Sequence, residues 1–267
     1  MSARQSYRHG LAIEERFGYV QGTVADLVYV AGQVARGPDG RPLAERGLVA
    51  DVRGMLANLD AVLAGLGSGR RSTVFVQTHV TVPLATARPL VAALHRDAFI
   101  AARPAAAVVQ VDALNHPDHL VETFVYALRD RHEEPPMPLS SPRHPLDDAL
   151  GTVPARRVGA TCFVSAQLPV DAGGRLVGAG DVAAQLRQVV ENIGVALAGV
   201  GCALDDVVST QAFLTRPLPP AAFDRFCAVH RTAFDGANRP TGTMVYVPGL
   251  PWPGALVQMS AVAWAPR

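Results

Sequence analysis

Few residues of this 267-residue chain combine types and spacings that could do chemistry. Cys227 and His230 stand one helical turn apart in "AAFDRFCAVHRTAF", where a thiol and an imidazole would share a face and could act as nucleophile and base. No other base adjoins Cys227 in sequence, and burial as a small apolar side chain is the commoner fate of such a residue. His95 is the counterpart of His230 in a passage with Ala92 in place of the Cys, which argues for packing or capping by both histidines. Arg103 and Arg239 each precede a proline. A guanidinium there could grip a carboxylate in two-point geometry, or could close a loop on backbone carbonyls. His116, Asp118 and His119 share a loop in "LNHPDHLVE", a weak metal spacing that reads as solvent-exposed. No phosphate-binding loop, Ser-His-Asp order or metal cluster is visible, so neither cofactor nor metal is expected.

The bulk properties narrow the class. Half the residues are apolar (49%) and the net charge is +1. This excludes a disordered chain and leaves no basic field for nucleic acid. The N-terminal stretch is polar and no apolar run is long enough to span a bilayer, so a soluble, cytoplasmic protein is expected. Cys162, Cys202 and Cys227 are an odd number in no ligand spacing, which predicts free thiols in a reducing compartment.

The elements that must position these residues are written twice. Slid by about half its length, "LVYVAGQV" (Leu27–Val34) falls on "TCFVSAQL" (Thr161–Leu168), and "MLANLDAVLAGLG" falls on "VVENIGVALAGVG" with Asn58 over Asn192. "VFVQTHVTVPL" falls on "VSTQAFLTRPL" with Gln77 over Gln211, and Arg103-Pro104 falls on Arg239-Pro240. A repeat this long is a duplicated domain, not a solenoid. Each copy reads as a strand pair with a turn at Asp39–Arg41 in the first, an amphipathic helix ending in Gly, a strand, a second helix and two closing strands. The order β-β-α-β-α-β-β predicts an α+β domain. Residues 1–130 and 147–267 are the two copies; 131–146, rich in Pro and Ser, is an extended linker. Gln33 and Gln167 hold the same place in both and read as backbone-satisfying amides.

The ordered set Val-X-Val-(Ser/Ala)-(Gly/Ala)-Gln, a helix with Asn-(Leu/Ile), a strand, a helix ending in Phe, and a final Val-(Glu/Gln) strand resembles the reactive-intermediate deaminase (Rid, or YjgF) family, once per half. The resemblance implies a chorismate-mutase-like fold, three domains packed into a barrel, and ligands in clefts between domains. It also implies an Arg that clamps a substrate carboxylate and a Glu that positions the water hydrolysing an imine or enamine. Those positions fall on Ala106 and Gly242 for the Arg, and on Phe124 and Ser260 for the Glu. A site-lining Asn falls on Ala92 and Cys227. Loss of the clamp would cost a carboxylate ligand about 1.5–3 kcal/mol.

Other residues then become candidates. Glu122 lies two residues before the Glu position, hence on the same strand face, and Gln258 matches it in the second half. Tyr19 resembles the aromatic near the family's N-terminal site segment. The ligand-binding candidates are Tyr19, Arg103, Glu122, Cys227, His230, Arg239, Gln258 and Ser260, with Glu122 and Cys227 the catalytic ones. The expectation is a divergent Rid-type protein acting on a small imine or enamine, in amino-acid or secondary metabolism, without the standard deaminase machinery. The alternative is a non-catalytic binder or scaffold; ribonuclease activity, assigned to some relatives, does not suit the neutral charge. The expected partners are a small molecule in an interdomain cleft and further copies of the chain, with three two-domain chains favoured, and no membrane or nucleic acid.

Overall fold

A computed structural model describes residues 5–129, 145–236 and 239–266. Most of the linker expected at 131–146 lies outside the described residues; Pro145 and Leu146 open a short helix. The first half runs β1 (Ser6–Tyr7), α1 (Ala12–Phe17), β2 (Gly22–Val24), β3 (Val28–Gln33), α2 (Leu48–Gly65), β4 (Thr73–Val80), α3 (Leu84–Phe99), β5 (Ala105–Gln110) and β6 (Val121–Ala127). The second runs α4 (Pro145–Leu150), β7 (Ala155–Val158), β8 (Thr161–Gln167), α5 (Val182–Ala198), β9 (Val207–Leu214), α6 (Pro220–Ala233), β10 (Thr241–Tyr246) and β11 (Val257–Trp264).

The two sheets have one topology. Their orders are β1-β2-β3-β6-β4-β5 and β7-β8-β11-β9-β10. In each, the strands joined through the second helix pair in parallel and the others are antiparallel. The registers also coincide. Val76 pairs with Ala106 as Thr210 pairs with Gly242, and Gln77 pairs with Phe124 as Gln211 pairs with Ser260.

Sequence periodicity explains the layers. Leu59, Val62, Leu63 and Leu66 recur at three- and four-residue steps and bury one face of α2 and its end on Val28, Val30, Val76 and Val125. Leu186, Val189, Ile193 and Leu197 do the same for α5 on Val164 and Met259. Each such side chain contributes about 1.5–3 kcal/mol when fully buried. Asn58 Nδ2 donates to the carbonyls of Val34 and Arg36 at 2.8 and 3.0 Å. Asn192 Nδ2 donates to those of Leu168 and Val170, both at 2.9 Å. One asparagine per half thus ties the segment after β3 or β8 to the helix that follows it.

One expectation is corrected. The turn at Asp39–Arg41 closes only an isolated bridge between Arg36 and Pro42; the strand pair is β2–β3, reversed at Ala25–Leu27. Cys162 on β8 and Cys202 after α5 lie side by side, with Cα atoms 7.6 Å apart, wider than a disulfide ordinarily spans, and Cys227 is exposed. Odd parity and spacing miss this pair because the packing of α5 on the sheet brings the two together. No helix among the described residues is long and apolar enough to cross a membrane.

The halves meet where β5 lies along β8. Ala105 to Val109 are buried, and their first three side chains are single methyls that let the backbones approach. The Ala106 amide donates to Ser165 Oγ at 2.8 Å, and the Val153 amide to the Pro104 carbonyl at 3.1 Å. Arg156 reaches the Ala102 carbonyl. The short helix α4 packs on α3, where His95 Nδ1 donates to the Leu150 carbonyl at 2.8 Å.

Candidate functional site

The cleft between the halves is almost full. Ala106 and Val108 from β5 face Ser165 and Gln167 from β8, Gln258 from β11, and Leu146 and Leu150 from α4. About 20 Å³ remains, room for a single water. The methyl of Ala106 occupies the place where the resemblance would put an Arg. Gln258 is 2% exposed and its Oε1 has no hydrogen-bond partner among the described residues.

The equivalent place in the first half is not closed by α4 and is far more polar. Glu122 on β6 stands opposite His79 on β4 and lies directly over Gly32, where an added Cβ would collide with its carboxylate. Burial pushes the Glu122 carboxyl above its ordinary range, with the Arg36 charge pulling the other way. Arg36 is buried and donates to Gln21 Oε1 at 3.1 Å, while its Nε has no partner among the described residues. Gln33 Nε2 donates to the same Gln21 oxygen at 2.9 Å and to the Ala31 carbonyl at 3.0 Å. Gln21 Nε2 donates onward to Glu14 Oε1 at 2.8 Å and to the Tyr19 hydroxyl at 3.2 Å. Burial opposes ionisation of Glu14, but donors from Gln21, His9 and Gly10 outweigh it and hold the carboxyl below its usual value.

The backbone fixes what stands at these places in the second half. The Tyr19 amide donates to the Glu14 carbonyl as the Thr152 amide does to that of Asp147. The Ala31 amide donates to Gln21 as that of Ser165 does to Pro154. Asp147, Pro154 and Val170 therefore replace Glu14, Gln21 and Arg36, and the polar chain belongs to the first half alone. Sequence reading missed Glu14, Gln21 and Arg36. The signal was a contrast between copies: Arg36 falls where the second copy has Val170.

The candidates divide among several places. Tyr19 and Glu122 come together through Gln21 and Arg36. Arg103 sits at the junction of the halves with φ of 46°, its amide closing the α3–β5 loop on the Phe99 carbonyl at 2.9 Å. Gln258 lines the filled cleft, and Ser260 faces a separate cavity between the sheets. Cys227, His230 and Arg239 lie at the outer edge of the second half. Cys227 is exposed, and His230 Nε2 is 3.3 Å from Thr210 Oγ1, with burial lowering its pKa. Among the described residues no hydrogen bond joins Cys227 to His230. Arg239 is exposed and 3.8 Å from Asp235. Gln167 Nε2 donates to the Ser165 carbonyl as Gln33 does to Ala31, the structural use expected of both.

The histidine loop departs from expectation. His116 and Asp118 are exposed, but His119 is 3% exposed, because Asp51 on α2 accepts the Leu120 amide at 2.6 Å and draws the segment inward. No group of three or more metal-ligating side chains occurs among the described residues.

The edge strand β10 is exposed along its whole length, unlike its buried counterpart β5. Phe17 at the end of α1 is 76% exposed, whereas Leu150 at the end of α4 is 7% exposed against the other half. The counterparts of both surfaces that meet between the halves are thus exposed.

The sequence profile of the family described as Endoribonuclease L-PSP matches residues 10–129 and again 149–265. The chain is 34% identical over 111 residues to the 3-aminoacrylate deaminase RutC of Acinetobacter baylyi, covering 42% of this chain and 84% of that one. It is 33% identical over 110 residues to a RutC family protein of Pyrococcus abyssi, covering 41% and 83%. Among solved structures, it is similar to Rv2704 of Mycobacterium tuberculosis, described as a member of the YjgF/YER057c/UK114 family. That likeness has 32% identity and a TM-score of 0.37 and covers 45% of this chain and 91% of that one.

Proposed function

We propose, from the premise that this chain belongs in both halves to the Endoribonuclease L-PSP family, also called Rid or YjgF, that it hydrolyses a small imine or enamine at one working site around Glu122. The single observation that supports this is the Glu122 carboxyl over Gly32, half-buried, raised in pKa and within the field of Arg36. A carboxylate whose pKa is raised toward neutrality is a stronger base and still returns a proton readily. In the proposed reaction Glu122 takes a proton from water as the oxygen bonds to the imine carbon. The acid so formed protonates the nitrogen, giving a neutral carbinolamine and restoring the carboxylate. Glu122 then takes the hydroxyl proton and passes it to the nitrogen as the C–N bond breaks. Water's oxygen stays in the carbonyl, both its protons leave on the amine and the carboxylate is regenerated. An enamine enters as its imine tautomer.

The family's Arg position is Ala106 in one copy and Gly242 in the other, so a carboxylate would lack its usual clamp. A neutral or differently anchored substrate suits this site. The open β10 edge, with Cys227 and His230 behind it on α6, is the counterpart of the surface that already covers the second-half cleft. In this reading the same surface of another copy covers Glu122 and Tyr19, in an assembly of three two-domain chains acting in the cytoplasm.

The test is the decay of imines generated in solution from several amino acids, followed with and without the protein. Acceleration that falls by about a hundredfold or more in Glu122→Gln supports hydrolysis. The filled cleft favours a second reading, a binder that has shed the chemistry. No acceleration with any imine, together with thermal stabilisation by small ligands, would select it.

A further inference from the structure

His79 pairs with Glu122 in the first sheet as Phe213 pairs with Gln258 in the second. One copy carries two proton-exchanging groups at this rung of the ladder, and the other carries neither. The fold does not require them there: Phe213 is 2% exposed, in an apolar cluster that includes Val109 of the first half. Direct partners in an antiparallel pair stand on one face, with Cβ atoms about 4.5–5.5 Å apart.

The surroundings prepare the imidazole. Gln77 Nε2 lies 2.8 Å from His79 Nε2, which occupies that ring nitrogen and leaves Nδ1 for another partner. The Phe124 ring lies 6.4 Å away, and Val109, alongside His79 on β5, brings no charge. Glu122 is thus the ionisable group that β6 sets against His79, and Arg36 is the charge acting on Glu122. Both side chains are half-buried. Burial lowers the His79 pKa from 6.5 and raises that of Glu122 from 4.5, so the two converge. Groups of matched affinity pass a proton in either direction at little cost.

We propose that His79 is a second catalytic group of the Glu122 site, sharing the proton transfers of imine hydrolysis; this rests on the reading of that site given above. His79 takes over two of the four transfers that a lone carboxylate would make. In the reacting form Glu122 is the carboxylate and His79 holds a proton. As the water oxygen bonds to the imine carbon, Glu122 takes a proton from the water and His79 gives its own to the nitrogen. The neutral carbinolamine then sees the roles exchanged. His79 takes the hydroxyl proton, the Glu122 acid protonates the nitrogen, and the C–N bond breaks. Water's oxygen stays in the carbonyl, and both groups return to their starting forms.

The test compares the parent with His79→Gln, His79→Gly and Glu122→Gln, using imines generated in solution from amino acids and thermal melts to confirm folding. The parent kcat/KM is expected to be bell-shaped in pH, because the reacting pair holds one proton. His79→Gln is expected to lose about tenfold or more in rate, together with the falling limb at high pH. Added imidazole is expected to restore part of the rate to His79→Gly. Independently of turnover, NMR titration of the His79 ring is expected to show its midpoint moved by about one pH unit in Glu122→Gln. Activity lost in Glu122→Gln but parental in rate and pH profile in His79→Gln overturns the inference and leaves the Glu122 site standing. A His79 midpoint unmoved by Glu122→Gln also overturns it. No acceleration by the parent, or parental activity in Glu122→Gln, overturns the reading of the site and this inference with it.

Discussion

The Glu122 carboxylate occupies the space that a Cβ on residue 32 would need, and Gly32 leaves that space free. The second half has Ala166 at this place and Gln258 opposite it, so the exclusion is particular to the first copy. Gly32→Ala is expected to push the carboxylate aside. Because displacement by about 1 Å can cost up to a hundredfold in rate, imine hydrolysis should fall roughly tenfold or more while the fold persists. Steady-state kinetics with a thermal melt of the same sample checks this.

Glu122 also sets a pH dependence of stability. Its folded pKa lies above the unfolded value of 4.5, so the folded state holds the proton more tightly. Stability is therefore lost as pH rises from 4.5 through the folded pKa, and stays reduced above it. Glu122→Gln should be at least as stable as the parent at neutral pH, and this advantage should vanish below pH 4.5. Urea unfolding across that range reads the difference. A parent that gains stability over the same rise, relative to the variant, would reverse the assignment.

His95 gives the opposite sign. Burial lowers its pKa from 6.5 to about 4, against the hydrogen bond to Leu150, and Nε2 has no partner among the described residues. Stability is present above pH 6.5 and is lost as pH falls toward 4, by about 3 kcal/mol at most. Because this imidazole joins α3 to the second half, acid should loosen the junction first. Hydrogen exchange at α4 and β5 between pH 7 and pH 4 should show it, and His95→Gln should flatten the slope.

The paired asparagines test the duplication energetically. Asn58→Ala and Asn192→Ala each leave two carbonyls without their donor, so each should cost roughly 2 kcal/mol. Chemical denaturation of the single variants should give similar losses. A large inequality would mean that the two loops have diverged in stability despite the same geometry.

The chain alone determined the duplication and the two long helices of each half, but not the short helices α1 and α4 or the β2–β3 strand pair. Repeated hydrophobic spacing is local, and two copies of it constrain each other: Gln77 over Gln211 in sequence became the same pairing in two sheets. Gln33 and Gln167 were legible as structural amides for the same reason. Tertiary structure decided which candidates share a site. Tyr19 and Glu122 are over a hundred positions apart, and they meet only because β2–β3 and β6 lie side by side and the buried Gln21 and Arg36 bridge them. It decided that His119 is buried, through a carboxylate on α2, and that Cys162 meets Cys202. It decided that one cleft is filled while its counterpart stays open, because a leucine on α4 finds the neighbouring half and Phe17 on α1 finds solvent. Such contacts depend on the packing of distant surfaces, which no local period encodes.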